Sequence, residues 1–297
     1  MKKATLLALL MSTTPVLVQA ETVTGALTLS YSQHSSDFGD MNSLDGRLAV
    51  AMDNGLSFGV DLGHSTMSQD GAPVDFEAEY YAFDASYGFG NGMSAGIFLD
   101  RLSMGVDGIP IEITLKTNGL TFGYEGNGFE GEAFYGQTDI GIPIMTTMPD
   151  IENYGINGRY TGMAGLVAGA AFHRAHLSQG GSSTDIDFAG IAATYLVNDS
   201  LMVFGGYSQL DNEVLTGDLD SFGLGVSYDL GAQMGFATSV SLEAGRVSQG
   251  GDDLDVIRLG LTVPLGKSGP VLPMNSVADA VLNPRRGAFN AGMTSGF

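Results

Sequence analysis

The sequence contains no cysteine, which excludes a disulfide framework, a thiolate metal centre and a lipid-modified cysteine anchor. Basic residues are scarce: 12 Lys and Arg stand against 33 Asp and Glu, for a formal charge of −21. A chain this acidic is a poor partner for nucleic acid, whose affinity for proteins rests on neutralised phosphates. Long hydrophobic runs are missing too, since no segment reaches the roughly 18 uninterrupted apolar residues that a spanning helix needs. There are also few of the leucine-rich stretches that build a soluble core.

Lys2 and Lys3 precede an apolar run from Ala4 to Met11 and a small-residue end at Val18-Gln19-Ala20. Residues 1–20 therefore read as a cleaved secretory signal, with the mature chain beginning at Glu21. Cleavage leaves 277 residues, enough for one large domain, and takes the charge to −23. Glycine is abundant, at 44 of 297 residues. It recurs inside alternating segments, where it suits the curvature of a closed sheet.

The most informative pattern is a repeat. Tyr87, Tyr124, Tyr160, Tyr195 and Tyr228 recur about every 35 residues, each closing one alternating stretch and followed by a short turn and another. Met52 holds the equivalent place in an earlier copy. Each copy reads as a β-hairpin, and the tyrosines form a girdle at one end of successive strands, where an amphipathic ring bridges hydrocarbon and water. An aromatic edge on a soluble β-solenoid is the competing explanation. Hairpin by hairpin, the pattern predicts fourteen strands between residues 23 and 265, each about 10–12 residues long and able to cross a hydrocarbon layer about 25 Å tall when tilted. Short turns such as Asp53-Asn54-Gly55 alternate with longer acidic segments, including 178–185 and 248–254. The expected fold is an all-β, antiparallel up-and-down transmembrane barrel over residues 21–265. In the last strand Ile257, Leu259, Leu261, Val263 and Leu265 share one face, while Arg258, Gly260 and Thr262 share the other. One face is lipid-facing and the other lines a polar interior.

The segments GALTLSYSQ and LDGRLAVAMDNGLSFGVDLG, with the tyrosine hairpins behind a signal, resemble the porins of Gram-negative bacteria, especially the alphaproteobacterial type, over roughly residues 21–265. The resemblance implies an outer-membrane location, contact with outer-membrane lipid, passive diffusion of small hydrophilic solutes, frequent assembly as a homotrimer and no cofactor. The chain departs from that family's pattern in several respects. The family's arginine cluster facing an acidic loop has no counterpart here, since alternation assigns only Arg47, Arg159 and Arg258 as inward-facing basic residues. Sixteen strands are usual there. The third loop, normally long enough to fold into the lumen, is the short segment 105–113 here. Finally, residues 266–297 follow the last counted strand.

Alternation places Asp45, Arg47, Asp61, Asp84, Asp100, Glu130, Glu132, Arg159, Glu243 and Arg258 on the inner face, seven acids against three bases. As pore-lining groups they would favour cations by electrostatic focusing; the alternative is mutual pairing across a closed interior. The function expected from the pattern is a mildly cation-preferring diffusion channel. A non-conducting barrel serving as a surface adhesin or structural protein is the alternative. His173 and His176 lie an odd number of residues apart on a strand and so point to opposite faces, which removes the clearest catalytic or metal-binding pairing. The acidic segment ends, among them Asp211, Glu213, Asp252 and Asp253, match no calcium-loop template. In the tail, Asn275 or Ser276 is placed to cap a short helix through Leu282, ended by Pro284 and followed by the basic pair Arg285-Arg286. Such a tail would be a periplasmic plug or lid. The alternation Phe289, Ala291, Met293, Ser295, Phe297 instead fits a closing strand, which would raise the total to sixteen.

Overall fold

The computed structural model describes residues 20–35, 39–68, 75–109, 112–142, 148–212, 217–266 and 269–296. Residues 1–19 of the expected signal, and Glu213 with residues 214–216 of the acidic segment that follows β11, lie outside these residues. The chain forms fourteen strands: β1 (Ala20–His34), β2 (Asp40–Met52), β3 (Leu56–Ser68), β4 (Asp75–Gly88), β5 (Met93–Val106), β6 (Glu112–Gly126), β7 (Phe129–Gly141), β8 (Asp150–Met163), β9 (Leu166–Gln179), β10 (Ser182–Asn198), β11 (Leu201–Asn212), β12 (Leu219–Asp229), β13 (Ser239–Gln249) and β14 (Asp252–Leu265). Each strand pairs antiparallel with its sequence neighbours, and β1 closes the barrel directly on β14 with Leu29 opposite Leu261. Closure leaves no sheet edge. The closing strand considered for residues 289–297 is therefore corrected: the β1–β14 seam is already paired, and residues Ala288–Gly296 are helical.

Local chemistry explains the hairpins. Asn127 and Gly128 carry φ values of 54° and 76° between β6 and β7, the paired positive values of a type I′ turn, whose twist matches that of the strands it joins. The same device acts at the opposite end of the barrel. Gly180-Gly181 and Gly250-Gly251, all at positive φ, join β9 to β10 and β13 to β14 directly. The long connections expected over 178–185 and 248–254 are thus two-residue turns, because glycine pairs admit the conformation that lets the strands run on. Between β12 and β13 the connection instead holds a short helix, α1 (Gly231–Met234), closed by Gly235 in the left-handed region.

Side chains alternate as the pleat demands. Ile191, Leu224, Ile257 and Leu261 point outward and are exposed. Thr28, Ser32, Asp100, Glu243, Arg258 and Thr262 are buried inside. Tyr87, Tyr124, Tyr195 and Tyr228 are exposed near one end of the barrel, and Tyr160 there packs its ring 4.9 Å from that of Phe129. A second outward set, Tyr31, Tyr81, Tyr135, Tyr154 and Tyr207, lies towards the other end. Several of its hydroxyls donate to carboxylates: Tyr81 to Glu79, Tyr135 to Glu152 and Tyr207 to Asp220. The repeat at 35-residue spacing revealed only the first girdle, since the second is distributed irregularly over both strand directions. Among the described residues, no helix is long and apolar enough to cross a membrane.

Candidate functional site: a lumen occupied by the C-terminal tail

The tail does not hang below the barrel. It re-enters the lumen, in the place of a plug rather than of a lid beneath the barrel. Ser227 donates to the Val271 carbonyl at 2.8 Å, and Asn275 Nδ2 donates to Ser43 at 3.0 Å and to Ser30. Helix α2 (Val277–Leu282) follows, with every residue buried. Ser276 is its N-cap, its hydroxyl accepting from the Asp279 N–H at 3.1 Å. That contact satisfies one of the donors a helix start leaves free. Another, the Val277 N–H, is taken by Glu243 at 3.1 Å. Helix α3 (Ala288–Gly296) then rises along the wall; Phe289 packs near Tyr80 and Leu102, and Gly292 lies against Leu210.

What seats α2 is a row of missing side chains. Gly169, Gly190, Gly206 and Gly223 stand on the inner faces of β9, β10, β11 and β12. A Cβ on each would come within 2.8 Å of Leu282, 2.5 Å of Val281, 3.0 Å of Ala278 and 2.9 Å of Val277 respectively. Around this groove the wall is apolar, with Ala171, Ile186, Phe188, Ala192, Met202 and Phe204 packed with Ala278, Val281, Leu282, Ala288 and Ala291. The expected polar interior fails on β9–β12, because those strands form one core with the tail, and it is interrupted on β4, β5 and β7 by Tyr80, Phe98, Leu102 and Phe134. Apolar burial in such a core contributes about 25 cal/mol per Å².

The opposite half of the lumen is charged, and all ten residues assigned to the inner face point into it. Arg47 pairs with Asp61 at 2.9 Å and with Asp279 of α2 at 3.1 Å. Arg159 pairs with Glu130 and donates to Asn283 of the tail at 2.9 Å. Arg258 and Glu243 form a buried pair at 2.5 Å. Asp45, Asp84 and Glu132 are met by two residues that alternation along the barrel strands had no means of placing inside: Arg285 bonds Asp45 at 3.1 Å, and Arg286 bonds Glu132 at 2.9 and 3.0 Å with Asp84 at 3.9 Å. Neither oxygen of buried Asp100 meets a donor in hydrogen-bonding geometry among the described residues. The basic pair was visible in the sequence; its acidic partners on β2, β4 and β7 were not visible as partners, since they are separated from it by 150 residues or more.

Beside tail residues Asn283, Pro284 and Arg286, a cavity of about 940 Å³ is left open. Its wall carries Asp61, Asp84, Glu130, Glu132 and Arg159, its roof Arg286, and its mouth the short turns that contain Gly90 and Asn127. Acids outnumber bases on this surface. The histidines take no part in it. His173 is buried inward with Nε2 2.6 Å from Asn157, whereas His176 points outward to Asp185. Among the described residues, no three potential ligands are grouped to hold a metal.

A closed fourteen-stranded barrel with a lipid-facing exterior, aromatic girdles and a charged lumen defines an outer-membrane channel protein. Residues 112–266 match the family model described as Gram-negative porin. That span is more than half of the chain, and the protein belongs to the Gram-negative porin family and resides in the bacterial outer membrane. None of the curated proteins matches it in sequence. Among solved structures it is similar to the CymD monoaromatic hydrocarbon channel (TM-score 0.55, 11% identity, 88% of this chain and 92% of that one). The toluene transporter TbuX of Ralstonia pickettii is also similar (0.53, 12%, 86% and 92%). So is the anion-selective porin from Comamonas acidovorans (0.52, 10%, 82% and 99%). At these identities the likeness concerns the fold alone.

Proposed function

We propose that the protein is a passive diffusion channel for small hydrophilic solutes with a mild preference for cations, working without catalytic chemistry. The observation that carries this reading is the open cavity beside the tail: it is continuous with one mouth of the barrel and walled by Asp61, Asp84, Glu130 and Glu132 against Arg47, Arg159 and Arg286. In a low-dielectric barrel such an excess concentrates counter-ions along the path, and salt screens the effect over about 10 Å at 0.1 M. Planar-bilayer recordings across a KCl gradient test it. The reversal potential should have the sign of a cation-preferring pore at low salt, approach zero as salt rises, and shrink in Glu130→Gln/Glu132→Gln protein. An anion-preferring pore contradicts the reading.

A further inference from the structure

The two tail arginines are bound like ligands. The Arg285 guanidinium lies 4.1 Å over the Tyr80 ring while bonding Asp45 at 3.1 Å. It occupies space left by Gly63, where a Cβ would come within 2.7 Å of its Nη2. The Arg286 guanidinium lies 4.9 Å over the Phe98 ring and is held by both oxygens of Glu132. A carboxylate in the plane of the group and an aromatic ring on its face are the two recognition elements a guanidinium selects. Two residues beyond Phe98 on the same inner face of β5, Asp100 is 4% exposed and stands beside Tyr80 in the field of Arg286. It adds a third carboxylate to the wall that faces the tail arginines.

Every wall element of these sites belongs to the barrel strands β2, β3, β4, β5 and β7, which are fixed by their own ladders whatever the tail does. The arginines arrive on a short arm, residues 283–287, bounded by Pro284 and by Gly287 at φ +89°. Apolar contacts in the glycine groove hold α2 together with the Arg47–Asp279 pair, while Arg285 and Arg286 are held by ion pairs and ring contacts that another cation can replace. We propose that the wall is a two-site receptor for guanidinium or ammonium groups, that the solutes carried are small organic cations, and that Arg285 and Arg286 are tethered occupants such solutes displace. This rests on the channel reading above and names its substrate class.

The test uses full-length protein in detergent and in bilayers, with agmatine as probe and 1,4-butanediol as its neutral counterpart. Arg285→Ala/Arg286→Ala protein should bind agmatine in calorimetry about tenfold or more tighter than wild type, because an intramolecular competitor has been removed. Adding Glu132→Gln should abolish the gain. In bilayers agmatine, and not butanediol, should block potassium current through the double variant over the same concentration range. If the double variant fails to give a protease-resistant barrel, Arg286→Gln replaces it. A folded variant with no saturable agmatine binding, or with binding indifferent to Glu132→Gln, overturns the proposal. Absence of conductance from every folded variant would instead overturn the channel reading, leaving the binding result to stand on its own.

Discussion

Gly190 offers the sharpest test of how the tail is held. A Cβ there would lie 2.5 Å from Val281 Cγ2, 3.1 Å from the Tyr207 carbonyl oxygen and 3.3 Å from Ser208 Cβ. The strand cannot retreat, since β10 is laddered to β9 and β11 along its length. Helix α2 must move instead. Valine is a better strand residue than glycine, so Gly190→Val should leave the barrel intact while overpacking the groove, at a cost of about 1–3 kcal/mol. The absence of native cysteine makes a single introduced thiol a clean reporter. Val277→Cys, at a position 4% exposed, should react slowly with a membrane-impermeant maleimide when the tail is seated. Gly190→Val should raise that rate by about 5- to 150-fold, the factor equivalent to the expected cost. Val281→Ala in the same background removes the clashing methyl groups and should bring the rate back towards the parent value. Unchanged labelling in a folded Gly190→Val barrel would refute the groove as the seat of α2.

Leu224→Arg, on the lipid face and 60% exposed, should reduce assembly into outer membranes, as a charge near the bilayer midplane costs about 2–4 kcal/mol; normal heat-modifiable barrel yield would contradict that face assignment. The same change at Gly225 should also be damaging, for a different reason: its Cβ direction is filled by the Phe204 ring at 2.4 Å. Arg258→Ala leaves Glu243 buried with the Val277 N–H as a remaining donor and should cost about 3–5 kcal/mol in urea unfolding, whereas Arg258→Met/Glu243→Leu should cost less. A single variant no less stable than wild type would show the pair to be solvated.

Strand number, pairing and facing were legible because period-two alternation and tyrosine-ended hairpins are local signals, repeated copy after copy. The inner positions of Asp45, Glu132 and Arg258 followed from the same parity. Connections at the loop end were misjudged where Gly180-Gly181 and Gly250-Gly251 replace long segments, since acidic residues flanking a glycine pair look like a loop until the strands are seen to extend through them. The tail was half legible. Ser276 capping, the stop at Pro284 and the helix between them are nearest-neighbour chemistry. Its place in the lumen depends on Gly169, Gly190, Gly206 and Gly223, and a strand glycine has several causes: curvature explains it as well as a helix docked from 54 or more residues away does. The alternation of Phe289 to Phe297 suits a strand, but Ala288 and Ala291, three apart and both fully buried, mark one face of a helix. A segment this short carries both periods.

The barrel proposed here as a channel would conduct through a lumen that its own C-terminus occupies. Single-channel recording of the full-length protein beside a variant lacking residues 269–297, both shown to be folded, tests it directly. Discrete cation-preferring steps are expected for the full chain, with a several-fold larger unit conductance after deletion. Equal unit conductance in the two proteins, or silence from both, would contradict it.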